Sequence, residues 1–170
     1  ILFLIGGTDK YKLSKKIPKM LDENLQKKYK IDWVQGPFAK SPLIKDKFRK
    51  SWKIYKNPKN VYRLLDRAKC CFVLFGTSFF ETVNACIPQV TYSPKGKEKP
   101  ILIKALKRNF LVESNLKISL NKINLILNNY KKFENSAHRN NKLITFKKRE
   151  KFLKLALVAS SMISSSLLFL

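Results

Sequence analysis

The chain lacks the usual signatures of phosphoryl transfer, hydride transfer and metal chemistry. Neither of two glycine-bearing turns, Gly6-Gly7-Thr8-Asp9 and Gly76-Thr77-Ser78, continues into Gly-Lys-Ser/Thr, so there is no P-loop. Gly6-Gly7-Thr8-Asp9 does not complete the dinucleotide fingerprint, and a nicotinamide cofactor is not expected. His-Glu-x-x-His, Cys-x-x-Cys and Gly-x-Ser-x-Gly are all missing, which removes the common zinc and serine-hydrolase frames. Histidine occurs once, as His138, in the polar stretch Asn135-Ser-Ala-His-Arg-Asn-Asn141, where it reads as a solvated loop residue. The three cysteines, Cys70, Cys71 and Cys86, lie in apolar runs without metal spacing. Adjacent cysteines rarely pair, so buried thiols in a reducing, cytoplasmic setting are expected.

Acidic residues are scarce. Eleven stand against 36 basic ones, giving a net charge of +25. Such a field favours anionic ligands and raises the question of nucleic acid. Against that reading, only six of the basic residues are arginine, and the lysines are scattered from Lys10 to Lys154 rather than massed on one element. The chain is also rich in Asn, Ile and Phe, as an AT-rich coding sequence would be, so the excess reads as lysine on solvated faces.

At 170 residues with 45% apolar content the chain can bury a sizeable core. Ile1-Leu-Phe-Leu-Ile5 is an apolar run of strand length, with no charged region before it, and does not read as a signal peptide. Starting without methionine, directly on a strand, it leads us to expect further sequence upstream. A helix follows on Leu13, Ile17, Met20 and Leu21, and Pro18 suggests that it starts late, near Ser14 to Lys16. Ile31 to Gln35 predicts a second strand, residues 40–50 a short helix, and Trp52 to Tyr55 a third strand. Val61, Leu64, Leu65 and Ala68 form the clearest helical face, with Asn60 as its cap. Cys70 to Phe75, Gln89 to Tyr92 and Phe110 to Val112 predict the remaining strands. Helices are expected over Thr77 to Cys86, from Pro100 to near Arg108-Asn109, and from a Ser119 cap through Leu120, Ile123, Leu127 and Tyr130. Six alternations of strand and helix predict an α/β domain: a Rossmann-like parallel sheet of about six strands with helices on both faces.

The stretch Phe72-Val-Leu-Phe-Gly-Thr-Ser-Phe-Phe-Glu81 carries the functional signal. A strand entering a helix through Gly76, Thr77 and Ser78 makes an anion site, because the helix start presents N–H groups and Gly76 admits a close approach. Glu81 follows Ser78 by three residues and Thr77 by four, one helical turn on and on the same side. It can accept from a pair of vicinal hydroxyls, or simply stabilise the helix dipole. Phe79 and Phe80 could stack on a ligand, although at least one is expected in the core. In parallel sheets ligands bind beyond the carboxyl ends of the strands, where both glycine turns fall.

Four motifs in register carry a family resemblance: Ile1-Leu-Phe-Leu-Ile-Gly-Gly-Thr-Asp9, Val34-Gln-Gly-Pro37, Asn57-Pro-Lys-Asn-Val61, and Gly76-Thr-Ser-Phe-Phe-Glu81 with Ala85-Cys-Ile-Pro88. Over residues 1–135 the chain resembles the C-terminal half of GT-B-type UDP-sugar enzymes. It is most similar to the UDP-sugar hydrolases of pseudaminic-acid biosynthesis and their spore-coat polysaccharide relatives, and more distantly to family 28 glycosyltransferases. The resemblance implies that a UDP-sugar is the ligand. Thr77 and Ser78 would face its diphosphate, Glu81 the ribose and the backbone near Tyr55 the uracil, while Gly7 would border the cleft to a missing N-terminal domain. It also implies that the catalytic histidine belongs to that other half, so no catalytic residue is assigned here and His138 is not given the role. Leu74-Phe75 stands where the family has smaller residues, and Lys95-Gly-Lys-Glu98 where it often has an Asn-Gln-type pair, so no sugar contact is assigned.

The expected organisation is a nucleotide-sugar-binding domain over 1–135 and a helical extension or poorly ordered tail over 136–170. Residues 155–170 are uncharged, but 16 residues with five serines fall short of the about 20 apolar residues of a span, so membrane association is not expected. The function expected is UDP-sugar binding within a hydrolase of surface-glycan synthesis. The alternatives are a UDP-sugar-dependent glycosyltransferase and a basic module for RNA or acidic polymer, the last being the less expected partner.

Overall fold

The computed structural model describes residues 1–96, Pro100, Ile103, Ala105 and residues 110–143. Six strands form one sheet in the order β3-β2-β1-β4-β5-β6: β1 (Leu2–Leu4), β2 (Ile31–Gln35), β3 (Trp52–Lys56), β4 (Cys71–Leu74), β5 (Gln89–Tyr92) and β6 (Leu111–Glu113). Every pairing is parallel, with Phe3 opposite Trp33 on one side and Phe72 on the other. This is the doubly wound Rossmann-like order expected from the alternation, and its direction reverses between β1 and β4.

Strand residues alternate between two cores, as a sheet covered on both faces requires. On one face Phe3 stacks 5.7 Å from Trp33 and lies 5.4 Å from Phe72, backed by Leu13, Ile17, Leu120 and Ile123. On the other, Leu2, Leu4, Cys71 and Val73 meet Leu64, Leu65, Phe79 and Val83. Burial pushes the Cys70 thiol up to about 11 and that of Cys71 well above its ordinary value, so both are inert core residues at neutral pH.

The helices are α1 (Leu13–Met20), α2 (Glu23–Lys28), α3 (Tyr62–Leu65), α4 (Thr77–Asn84), α5 (Leu116–Asn128) and α6 (Tyr130–Leu143). Helix α1 starts earlier than Pro18 led us to expect. Asp9 holds its first turn, accepting from the Leu13 N–H at 2.6 Å and from the Ser14 N–H at 3.3 Å. Pro18 therefore sits inside the helix, and the Ser14 carbonyl it cannot serve accepts from the Leu43 N–H at 2.9 Å instead. The short helix expected over 40–50 is a 3-10 turn, Asp46–Ser51, that buries Phe48; Leu43 lies ahead of it and is exposed.

Two other helix expectations are corrected. Helix α3 is a single turn, because Asn60 accepts from the Tyr62 N–H two residues on and Ala68 closes onto Leu65 with a tight bond. Helix α5 is capped by Asn115, whose side chain accepts from the Ile118 N–H at 3.2 Å. Ser119 lies in its buried interior and donates to the Asn115 carbonyl. His138 stands exposed on α6, a helix rather than a loop.

Helix α4 ends in a Schellman motif: Cys86 N–H reaches the Val83 carbonyl and Ile87 N–H the Thr82 carbonyl, both at 3.2 Å. Cys86 takes the left-handed position, with φ of 57°. Asn141 of α6 donates from Nδ2 to the Asn84 carbonyl at 2.9 Å, so α6 clasps this end of α4. Position 135 falls within α6. Among the described residues no helix is long and apolar enough to cross a membrane. Residues 155–170 and most of the helix expected over 100–109 lie outside the described residues.

Candidate functional site

A cleft of about 310 Å³ opens at the carboxyl ends of β1, β2 and β4, where the strand order reverses. Gly7, Gly76, Thr77, Ser78 and Glu81 all line it. Gln35, Gly36, Asn57, Pro58 and Val61 complete its other wall. The sequence had supplied these last residues only as parts of motifs. Gly36-Pro37 and Asn57-Pro58 end strands just as Gly6-Gly7 does, and the strand order brings the three strand ends together.

The glycines divide into two kinds. Gly6 has φ of 89° and needs its missing Cβ for conformation. At Gly36 a Cβ would stand 2.5 Å from the Gly7 Cα and 2.6 Å from the Gly6 carbonyl oxygen, so glycine lets these two turns touch. Gly7 and Gly76 have no such reason. A Cβ on Gly7 would meet nothing within 4 Å, and one on Gly76 only the Leu74 carbonyl at 3.9 Å. Gly76 is extended, with φ of 168°. Both bare backbones face the cleft.

Helix α4 starts at Thr77 with no side chain bonded across its cap and no acid in its first turn. Its first residues, Gly76, Thr77 and Ser78, line the cleft, so the free N–H groups and partial positive charge of a helix start lie at its wall. Among the described residues lining the cleft, Glu81 alone carries an ionisable side chain. Burial raises the pKa of its carboxyl, and a hydrogen bond from Ser78 acts in the opposite direction. Ser78 thus both borders the cleft and orients Glu81. Despite the net charge of +25, none of these lining residues is a lysine or arginine, so an anion here would be held by backbone N–H groups and hydroxyls.

Tyr55 does not line the cleft. It is half-buried on β3, its hydroxyl bonded to Arg67, with the Lys53 ammonium 5.2 Å from its ring. The chain two residues on, at Asn57-Pro58, is what reaches the wall. Phe79 is core, packed 5.5 Å from Phe110 and 5.1 Å from a half-buried Phe80. Neither phenylalanine lines the cleft. Among the described residues no group of three His, Cys, Asp or Glu is placed to hold a metal.

Fold and cleft together define the class: a doubly wound parallel α/β domain with a cleft at its switch point. No model of a known protein family matches the chain, and no curated protein sequence matches it either.

Proposed function

We propose that the cleft binds the nucleoside diphosphate part of a UDP-sugar, as one half of a two-domain enzyme that hydrolyses the sugar nucleotide or transfers its sugar in surface-glycan synthesis. The observation that carries this reading is the pair Gly7 and Gly76 in one cleft. Their lack of a side chain serves nothing inside the fold, and both line the cleft at which α4 starts, uncapped, from Gly76. A diphosphate needs that combination of bare backbone, donor groups and a helix N-terminus. Glu81, one turn in, would accept from the vicinal hydroxyls of the ribose, and residues of all four motifs that resemble GT-B UDP-sugar enzymes line this cleft, Ala85-Cys-Ile-Pro88 standing away from it. In hydrolysis the other half would supply the base, and α4 would stabilise the charge that develops on the leaving diphosphate.

Calorimetry with UDP tests the reading. Saturable binding is expected, with Glu81→Ala weakening it by about tenfold, the loss of a hydrogen bond to a charged acceptor. No binding of UDP at millimolar concentration, together with tight, salt-sensitive binding of RNA, would overturn it in favour of a basic polymer-binding module. Glu81→Ala binding UDP as well as the parent would remove the ribose assignment alone.

A further inference from the structure

Helix α6 carries a basic face at the end of the sheet away from the cleft. Lys131, Lys132, Asn135, His138 and Arg139 are all exposed, and their spacing of three and four residues sets them along one side of the helix. The opposite side is seated. Phe133 packs against the core that holds Phe3, and Phe133, Ser136, Ala137 and Asn140 share a small crevice with Ile87 to Gln89 and Phe110-Leu111, where β5 and β6 begin. The cleft lies at the other ends of the strands. Glu134, the one acid of α6, is half-buried and 3.1 Å from Lys131, while the Lys69 ammonium stands 5.7 Å from the Tyr130 ring and adds charge at the start of the helix. The cleft lining holds no lysine or arginine at all, so the charge is gathered at the wrong end to serve it.

A merely solvated helix face uses lysine in the same way, and the sequence beyond the described residues separates the two readings. Residues 144–154 add Lys147, Lys148, Arg149, Lys151 and Lys154 against the single acid Glu150, and residues 155–170 then carry no charge. Basic charge followed at once by a run of Leu, Val, Met, Ile and Phe is a pairing that holds a protein to a bilayer surface. An apolar segment alone attaches marginally, and a polybasic patch beside it makes the attachment stable. Attachment of this kind needs no span, so the shortness of the run does not count against it. RNA fits less well, because the outward side of α6 has no aromatic ring to stack on bases and an uncharged run has no use for phosphates.

We infer that the outward face of α6, continued by the basic residues after it, seats the domain on an anionic lipid surface, with residues 155–170 supplying the apolar contact. The starts of β5 and β6 then lie toward the bilayer, and the cleft is held on the side away from it. This surface is independent of the nucleotide reading, since binding of UDP and binding of vesicles report on opposite ends of the sheet.

The test is co-sedimentation of the full chain with vesicles of equal parts phosphatidylglycerol and phosphatidylcholine, against vesicles of phosphatidylcholine alone. The parent is expected to partition onto the anionic vesicles about tenfold better or more, and less well as salt rises. Lys132→Gln combined with Arg139→Gln is expected to lower that partition by about five- to twentyfold, since each charge near such a surface contributes about fivefold. Both side chains are exposed, and an unchanged unfolding midpoint checks that the fold is kept. Leu167→Ser combined with Leu168→Ser is expected to lower the partition by about tenfold while leaving its salt dependence in place. Equal partition onto both kinds of vesicle overturns the inference, and so does either double variant that binds anionic vesicles as well as the parent. A chain that stays in the supernatant with both vesicles and binds RNA tightly overturns it in favour of a polymer-binding face.

Discussion

Leu43 supplies the hydrogen bond that Pro18 prevents. Its backbone N–H lies 2.9 Å from the Ser14 carbonyl, the group that residue 18 of an ordinary helix would serve. A proline inside a helix costs about 3 kcal/mol, part of it from the unpaired acceptor. Here the loop between β2 and β3 takes over that acceptor and becomes fixed to α1. The partners should therefore be coupled. Leu43→Pro is expected to destabilise the parent by about 2 kcal/mol, and by about 1 kcal/mol less in a Pro18→Ala background, where the restored backbone N–H can serve Ser14 itself. Urea midpoints for the four chains of the cycle measure this; strict additivity would show that the two residues do not share the acceptor.

Gly7 and Gly36 touch, yet they should respond in opposite ways. Gly36→Ala drives a Cβ to 2.5 Å of the Gly7 Cα, and a loss of about 1–3 kcal/mol of stability is expected. Gly7→Val meets open space inside the domain and should leave the unfolding midpoint nearly unchanged. It crowds the cleft, however, and UDP affinity is expected to fall by about tenfold or more. Thermal denaturation and calorimetry on both variants separate fold from site.

The raised pKa of Glu81 gives stability a definite sign with pH. An acid whose folded pKa lies above its ordinary value of 4.5 holds its proton more tightly when folded. Its contribution to stability is present below that value and is lost as pH rises through the folded pKa. Glu81→Gln, which never ionises, should then be at least as stable as the parent at pH about 7, with its advantage shrinking as pH falls through about 4.5. Ser78→Ala removes the bond that lowers the pKa, so the Glu81 carboxyl resonance should titrate at higher pH in that variant.

Cys86 occupies the left-handed end of α4, where a side chain costs about 1 kcal/mol relative to glycine. Cys86→Gly is expected to raise stability by a few tenths to about 1 kcal/mol, less what is lost with the Asn141 contact to its sulfur. A lowered melting temperature would show that this contact outweighs the backbone strain.

The strands were legible because short runs rich in β-branched and aromatic residues end at turn residues, and β2 and β5 begin and end where the residues predict. Helix ends were less so, since caps depend on which of several polar residues turns inward. Ser119 has the chemistry of a cap, but Asn115 stands one turn earlier and takes the position, leaving Ser119 to bond back along its own helix. The proline of α1 misled for a related reason, as the donor that makes it tolerable comes from Leu43, 29 residues from Ser14. Of the site, Gly7 and Gly76 to Glu81 could be found from strand-turn-helix order alone. Gln35, Gly36 and Asn57-Pro58 join them through strand order, a property of the folded sheet.

The clasp of Asn141 on the Asn84 carbonyl links the two ends of one helix to different concerns. The start of α4 faces the cleft, and its far end is held by a residue of the final described helix. A chain shortened to residue 135 would keep every residue of the cleft and lose that anchor. Its ligand affinity would then depend on how firmly an eight-residue helix stays seated with one end released.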